Sequence, residues 1–141
     1  MSDITPELLT IAHDVRLAAQ RLSRHVKDHT PSLAPHLFVV LVHLEHRSAT
    51  AAELAAAERL SAPTMSKTVC ELEERGLVRR ELNPADARQK IVSLTSAGRQ
   101  AIVRGRRERD AYMAERLKPC TPDELSLLRE AAALLTQVVE A

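Results

Sequence analysis

Aromatic side chains are almost absent from this 141-residue chain: there is no tryptophan, and Phe38 and Tyr112 are its single phenylalanine and tyrosine. Its core must therefore be aliphatic, built from Leu, Val, Ile and Ala, a composition that suits packed helices. Glycine is scarce as well, with only Gly76, Gly98 and Gly105. The two cysteines, Cys70 and Cys120, form neither a CxxC nor a Cys-His spacing, which excludes a disulfide scaffold and a thiolate zinc site. Neither charge sign dominates: the formal net charge is +1, so any polyanionic partner has to be read from where the charges sit. Long apolar runs are missing too. The longest, Leu37 to Val42, is far too short to span a bilayer. The acidic stretch Met-Ser-Asp-Ile-Thr-Pro-Glu carries no apolar leader segment, and a cytoplasmic protein is expected. Finally, there is no Gly-x-Ser-x-Gly, no Walker loop and no dinucleotide fingerprint. No enzyme, cofactor or metal is expected.

What the chain does have is a series of marked helix starts. Thr5-Pro6-Glu7 supplies a cap, a proline at the first helical position and an acid in the first turn. Leu8, Ile11, Val15, Ala18, Leu22 and Val26 then recur on one face, which predicts a helix from about residue 6 to about residue 28. His29-Thr30-Pro31-Ser32 is a break, and Ser32 is the expected cap of a second helix holding Leu37, Val40, Leu41 and Leu44. Thr50-Ala51-Ala52-Glu53 is a capping box opening a short third helix to about Glu58. Ser61 caps a fourth, with Pro63 tolerated in its first turn, and Gly76 ends it.

The period then changes. Leu77 to Leu82 and Lys90 to Leu94 read as two short strands, with Asn83-Pro84-Ala85-Asp86-Ala87-Arg88 as a polar tip between them. Thr95 caps a fifth helix to about Lys118. Thr121-Pro122-Asp123-Glu124 opens a sixth, with Leu125, Leu128, Ala132, Leu135 and Val139 on one face.

Two short helices joined by a tight turn and followed at once by a hairpin make a winged helix-turn-helix. The expected class is mainly α with a small β-hairpin. A helix fits the DNA major groove, and a hairpin beside it reaches the adjacent backbone or minor groove. On the fourth helix Met65, Val69 and Leu72 face the core, while Pro63, Ser66, Lys67, Cys70 and Glu74 fall on the opposite stripe. The first half of that stripe is small, hydroxylated and basic, as base-edge and phosphate contacts require.

From Ser32 to Ala101 the chain resembles the MarR family of bacterial regulators. The matching landmarks, in order, are Ala52-Glu53-Leu54-Ala55, Ser61-Ala62-Pro63-Thr64-Met65-Ser66-Lys67, Leu72-Glu73-Glu74-Arg75-Gly76-Leu77-Val78-Arg79-Arg80, Asn83-Pro84-Ala85-Asp86-Ala87-Arg88 and Val92-Ser93-Leu94-Thr95-Ser96-Ala97-Gly98. The resemblance implies one domain over residues 1–141. Residues 33–98 would form the DNA-binding lobe, and residues 1–30 and 99–141 the helices that interlock in a homodimer. It implies DNA contact by Ser61, Ala62, Pro63, Thr64, Ser66 and Lys67 of the recognition helix, and by the wing. In the wing Arg88 would reach DNA while Asp86 holds the loop. Ala87 departs from the pattern, where a second arginine is common. The implied partner is a pseudopalindromic double-stranded operator. The implied regulation is release of a repressor by a small molecule, often aromatic or phenolic, seated among helices one, two and five, with His13, Arg16, Phe38, His43 and Tyr112 as candidates.

Other residues leave other readings open. All six histidines precede residue 47, and His25 and His29 stand at i, i+4, a spacing that also serves metal or pH sensing. Cys70 on the outward stripe leaves a redox-responsive regulator open. Arg104, Arg106, Arg107 and Arg109, interleaved with Glu108 and Asp110, read first as an ion-paired helix face and second as a flanking phosphate contact. A module that kept the fold for dimerisation or protein interaction without reading DNA is the alternative from another class.

Overall fold

A computed structural model describes residues 3–30 and 33–141. In chain order its elements are α1 (Pro6–His29), α2 (Pro35–His43), β1 (Ala49–Thr50), α3 (Ala51–Glu58), α4 (Ala62–Glu74), β2 (Val78–Asn83), β3 (Asp86–Leu94), α5 (Ser96–Leu117) and α6 (Pro122–Glu140). The helices start where local chemistry starts them. Thr5, Ser61 and Thr95 each accept a backbone N–H three residues on. Thr50 with Glu53, and Thr121 with Glu124, close reciprocal capping boxes. Each cap satisfies donors that the first helical turn would otherwise orphan. The expected cap Ser32 lies outside the described residues; α2 begins at Pro35, with Ala34 as a cap that makes no side-chain hydrogen bond. Proline at the first position has no N–H to orphan.

The sheet departs from the sequence reading in two ways. It has three strands in the order β1-β3-β2, because Ala49 and Thr50 pair with Val92 and Ile91. A two-residue strand is too short to show a period of two. The hairpin is also longer than expected. Asn83 pairs with Asp86, so Pro84-Ala85 alone make the turn. Leu82 pairs with Lys90, which leaves Ala87, Arg88 and Gln89 unmatched on β3 in an irregularity of register. Asp86 and Arg88 therefore belong to a bulged strand rather than to a loose tip. Such a bulge re-aims the side chains it carries.

The core lies wholly in the lobe. Leu37, Val40 and Leu41 of α2, Leu54 of α3, Met65, Val69 and Leu72 of α4, Val92 of β3 and Ile102 of α5 are fully buried. Each such side chain contributes about 1.5–3 kcal/mol on leaving water. Neither α1 nor α6 has a buried residue. The joint between lobe and α5 is tight: the Thr95 hydroxyl donates to the Gly76 carbonyl at 2.6 Å, and the Thr95 N–H to the Leu77 carbonyl at 3.1 Å. A Cβ on Gly98 would overlap the Leu77 carbonyl oxygen, so this crossing requires glycine.

Candidate nucleic-acid interface

The outward face of α4 is small and polar because its inward face carries the apolar residues. Met65, Thr68, Val69 and Leu72 are buried, and Ser61, Ala62, Pro63, Thr64, Ser66 and Lys67 are all exposed. Thr68, a polar residue the periodicity does not flag, fits the core side by donating its hydroxyl to the Thr64 carbonyl at 3.1 Å. Ser61 both accepts from the Thr64 N–H at 3.2 Å and donates to the Thr64 hydroxyl at 2.8 Å. Those two hydroxyls are thus held by each other, whereas Ser66 and Lys67 make no side-chain hydrogen bond or ion pair among the described residues. Lys67 is a free cation on the exposed side of a helix, within two turns of its N-terminus.

The wing is locked to this helix by a residue that sequence reasoning passed over. Arg80 of β2 reaches back to α4, with Nη2 2.8 Å and Nε 3.3 Å from Glu73 Oε1. The hydrogen bond from Arg80 holds the Glu73 carboxyl below its ordinary range, and the same bond raises the guanidinium of Arg80. The ion pair is half-exposed, so its worth is in orientation more than in stability. The signal was present: Val78, Arg80 and Leu82 share one side of the strand, so Arg80 falls on the side of a buried residue. Arg80 Nη2 also donates to Cys70 Sγ at 3.6 Å. Cys70 is half-buried against the root of the wing, which corrects its expected place on the outward stripe.

At the wing's far end two short hydrogen bonds set the backbone. Asn83 Oδ1 accepts from the Ala85 N–H, and Asp86 Oδ1 from the Arg88 N–H, each at 3.0 Å. Both are side-chain turns of the type Asn and Asp favour. Asp86 and Arg88 are exposed. The Arg88 side chain has no ion-pair partner among the described residues, and with Arg80 and Lys90 it borders a cleft of about 250 Å³ beside the start of α3. The arrangement thus presents two unpaired cations, Lys67 and Arg88, on two elements held rigidly together.

The five effector candidates do not meet. His13 and Arg16 touch only each other, at 3.5 Å, on the exposed side of α1. Phe38 is buried, with the Arg109 guanidinium 3.9 Å above its ring. His43 lies 3.7 Å from Glu58. Tyr112 donates to or accepts from His25 Nε2 at 2.7 Å and stacks on His29 with centroids 5.5 Å apart. The i, i+4 histidines therefore join Tyr112 in an aromatic cluster between α1 and α5. Among the described residues no group of three His, Cys, Asp or Glu is placed to hold a metal ion, and no helix is long and apolar enough to cross a membrane. A second ion pair, Arg106 to Glu45 at 2.6 and 2.9 Å, ties α5 to the segment after α2.

The MarR family pattern matches residues 34–89, the span from α2 into the wing. An HTH-type transcriptional regulator of Mycobacterium tuberculosis is 35% identical over 133 residues, covering 92% of this chain and 93% of that protein. A solved structure from Pseudomonas aeruginosa, assigned as a transcriptional regulator, superposes with a TM-score of 0.82 at 29% identity, covering 97% of this chain and 98% of the other. Two others share the fold at 23% identity. One is a MarR variant of E. coli complexed with operator DNA, with a TM-score of 0.61 over 97% of this chain and 99% of that one. The other is BpsR of Bordetella bronchiseptica, whose DNA binding is regulated by 6-hydroxynicotinic acid, with a TM-score of 0.63 over 94% and 99%. With the pattern matched across the lobe and a relative aligned along nearly its whole length, this chain belongs to the MarR family of transcriptional regulators.

Proposed function

We propose that this protein is a cytoplasmic, sequence-specific DNA-binding repressor that works as a homodimer and leaves its operator when a small molecule binds. No catalytic step is part of this reading. The observation that carries it is the pairing of an exposed Ser66-Lys67 face on α4 with Arg88 on a wing clamped to the same helix by Glu73 and Arg80. In this reading Ser61, Ala62, Pro63, Thr64, Ser66 and Lys67 meet the major groove. Arg88 meets the minor groove or backbone, and Asp86 shapes its approach.

The division of the chain follows. Residues 33–98 are the reading lobe, and residues 1–30 and 99–141 the dimerisation helices. Leu8, Leu9, Ile11 and Leu22 of α1, with Leu125, Leu127, Leu128, Leu134, Leu135, Val138 and Val139 of α6, are all exposed in the single chain. Apolar surface on that scale is covered by a partner, and on α6 it occupies two sides of the helix. A two-fold pair of such chains reads a pseudopalindrome. The relative of known operator complex and the one regulated by 6-hydroxynicotinic acid support the DNA and effector parts by analogy of fold. The effector is placed where α1 and α5 part, in clefts of about 350 and 380 Å³, the first walled by Tyr112 and His25. The test is fluorescence anisotropy with duplexes from the region flanking the protein's own gene. Tight binding to one duplex, at least about 10³-fold above its scrambled version, is expected; equal binding to both overturns the reading.

A further inference from the structure

The basic run of α5 is divided by the helical turn among separate tasks. Gly98, Ile102 and Gly105 face the lobe and are buried. Arg109 lies over Phe38, and Arg106 is bonded to Glu45. That leaves Arg99, Arg104 and Arg107, which have no ion-pair partner among the described residues. With Gln100, Val103 and Glu108 they line a cleft of about 440 Å³, a volume in the range of small-molecule sites. Arg104 and Arg107 are three residues apart, so they are neighbours on the helix surface, where two like charges repel unless something neutralises them. Val103, half-exposed, supplies an apolar floor. Glu108 closes the other end, and its Oε2 is buried without a hydrogen-bond partner. A buried carboxylate oxygen in that state lacks a donor.

We propose that this strip of α5 is a binding site for a small hydroxylated organic phosphate. Arg104 and Arg107 stand at the spacing from which two guanidinium groups close on one phosphate through charge-assisted, bidentate hydrogen bonds. Arg99, about 7.5 Å further toward the start of the helix, takes a second anionic or polar group. The carbon skeleton lies on Val103, and a ligand hydroxyl donates to Glu108 Oε2. Three arginines against one glutamate leave the cleft net positive, which favours a dianion over a neutral sugar. The site is separate from the α1–α5 clefts and from the α4 and wing surface, and it does not depend on DNA binding.

The test is isothermal titration calorimetry of the full chain, without DNA, using ribose 5-phosphate, inorganic phosphate and ribose. Ribose 5-phosphate is expected to bind at least about tenfold tighter than inorganic phosphate, and ribose not at all. Arg104→Ala combined with Arg107→Ala, with an unchanged circular dichroism spectrum, weakens ribose 5-phosphate by at least about 100-fold. Glu108→Gln narrows the gap between ribose 5-phosphate and inorganic phosphate. The proposal is overturned if neither phosphate binds, if the double variant binds as the parent does, or if Glu108→Gln leaves that gap unchanged. It is also overturned if the double variant leaves phosphate binding intact and instead lowers the salt dependence of DNA binding, which makes the strip a DNA backbone contact.

Discussion

Replacing Arg88 with alanine removes one unpaired guanidinium from each wing while leaving the turn intact, because Asp86 bonds the Arg88 backbone N–H and not its side chain. A cation that neutralises a phosphate contributes about 0.9 to the slope of log affinity against log salt. A dimer losing two such contacts therefore loses about 1.8 of slope. Between about 50 and 200 mM salt, a fourfold rise, the advantage of the parent over Arg88→Ala shrinks by about 4 to the power 1.8, roughly twelvefold. The loss applies to operator and scrambled DNA together. Lys67→Ala behaves differently if Lys67 reaches a base edge: about 1–3 kcal/mol per half-site is lost on the operator, and random DNA is spared. The assay is anisotropy of both variants on both duplexes at four or more salt concentrations. Parallel salt lines for the parent and Arg88→Ala would refute the wing contact. A uniform loss across sequences in Lys67→Ala would move Lys67 from base reading to the backbone.

Gly98→Ala drives a Cβ into the Leu77 carbonyl, a main-chain atom that cannot rotate away, and should cost about 1–3 kcal/mol. Thermal unfolding at fixed protein concentration, with a drop of roughly 2–4 °C per kcal/mol, checks it; an unchanged Tm rules out the close approach. The hydrogen bonds from Arg106 and Arg80 hold Glu45 and Glu73 below the ordinary 4.5. Stability from these lowered carboxyls is complete above pH 4.5 and is lost as pH falls through their folded values. Urea midpoints for the parent and Arg80→Met should converge in that acid window, and a gap that persists there would argue against the ion pair. Removing residues 121–141 takes away α6 and should give monomer or aggregate without operator binding. Sedimentation of a well-folded dimer lacking them would disprove the role of α6.

Most of the fold could be read from local chemistry. The caps at Thr5, Thr50, Ser61, Thr95 and Thr121 act within four residues of themselves, so the sequence around each one suffices to place a helix start. The same holds for the exposed and buried sides of α4, which the 3.6-residue period separates. Cys70 shows the limit of that reasoning. Angular position put it on the outward stripe, but Arg80, ten residues later, curls over it from the hairpin.

The sequence by itself determined the order of helices, the recognition helix with its exposed Ser66 and Lys67, the hairpin, and the family to which the landmarks belong. These rest on interactions between near neighbours, which residue spacing records directly. The tertiary structure alone decided that Ala49 and Thr50 complete the sheet, that Arg88 sits in a bulged strand, and that Arg80 and Arg106 are spent on Glu73 and Glu45 while Arg99, Arg104 and Arg107 are left unpaired. Which of several arginines finds a carboxylate depends on elements brought together from distant parts of the chain: Glu45 and Arg106 are 61 residues apart. A helical period can say which way a side chain points, and only the packed fold says what it meets.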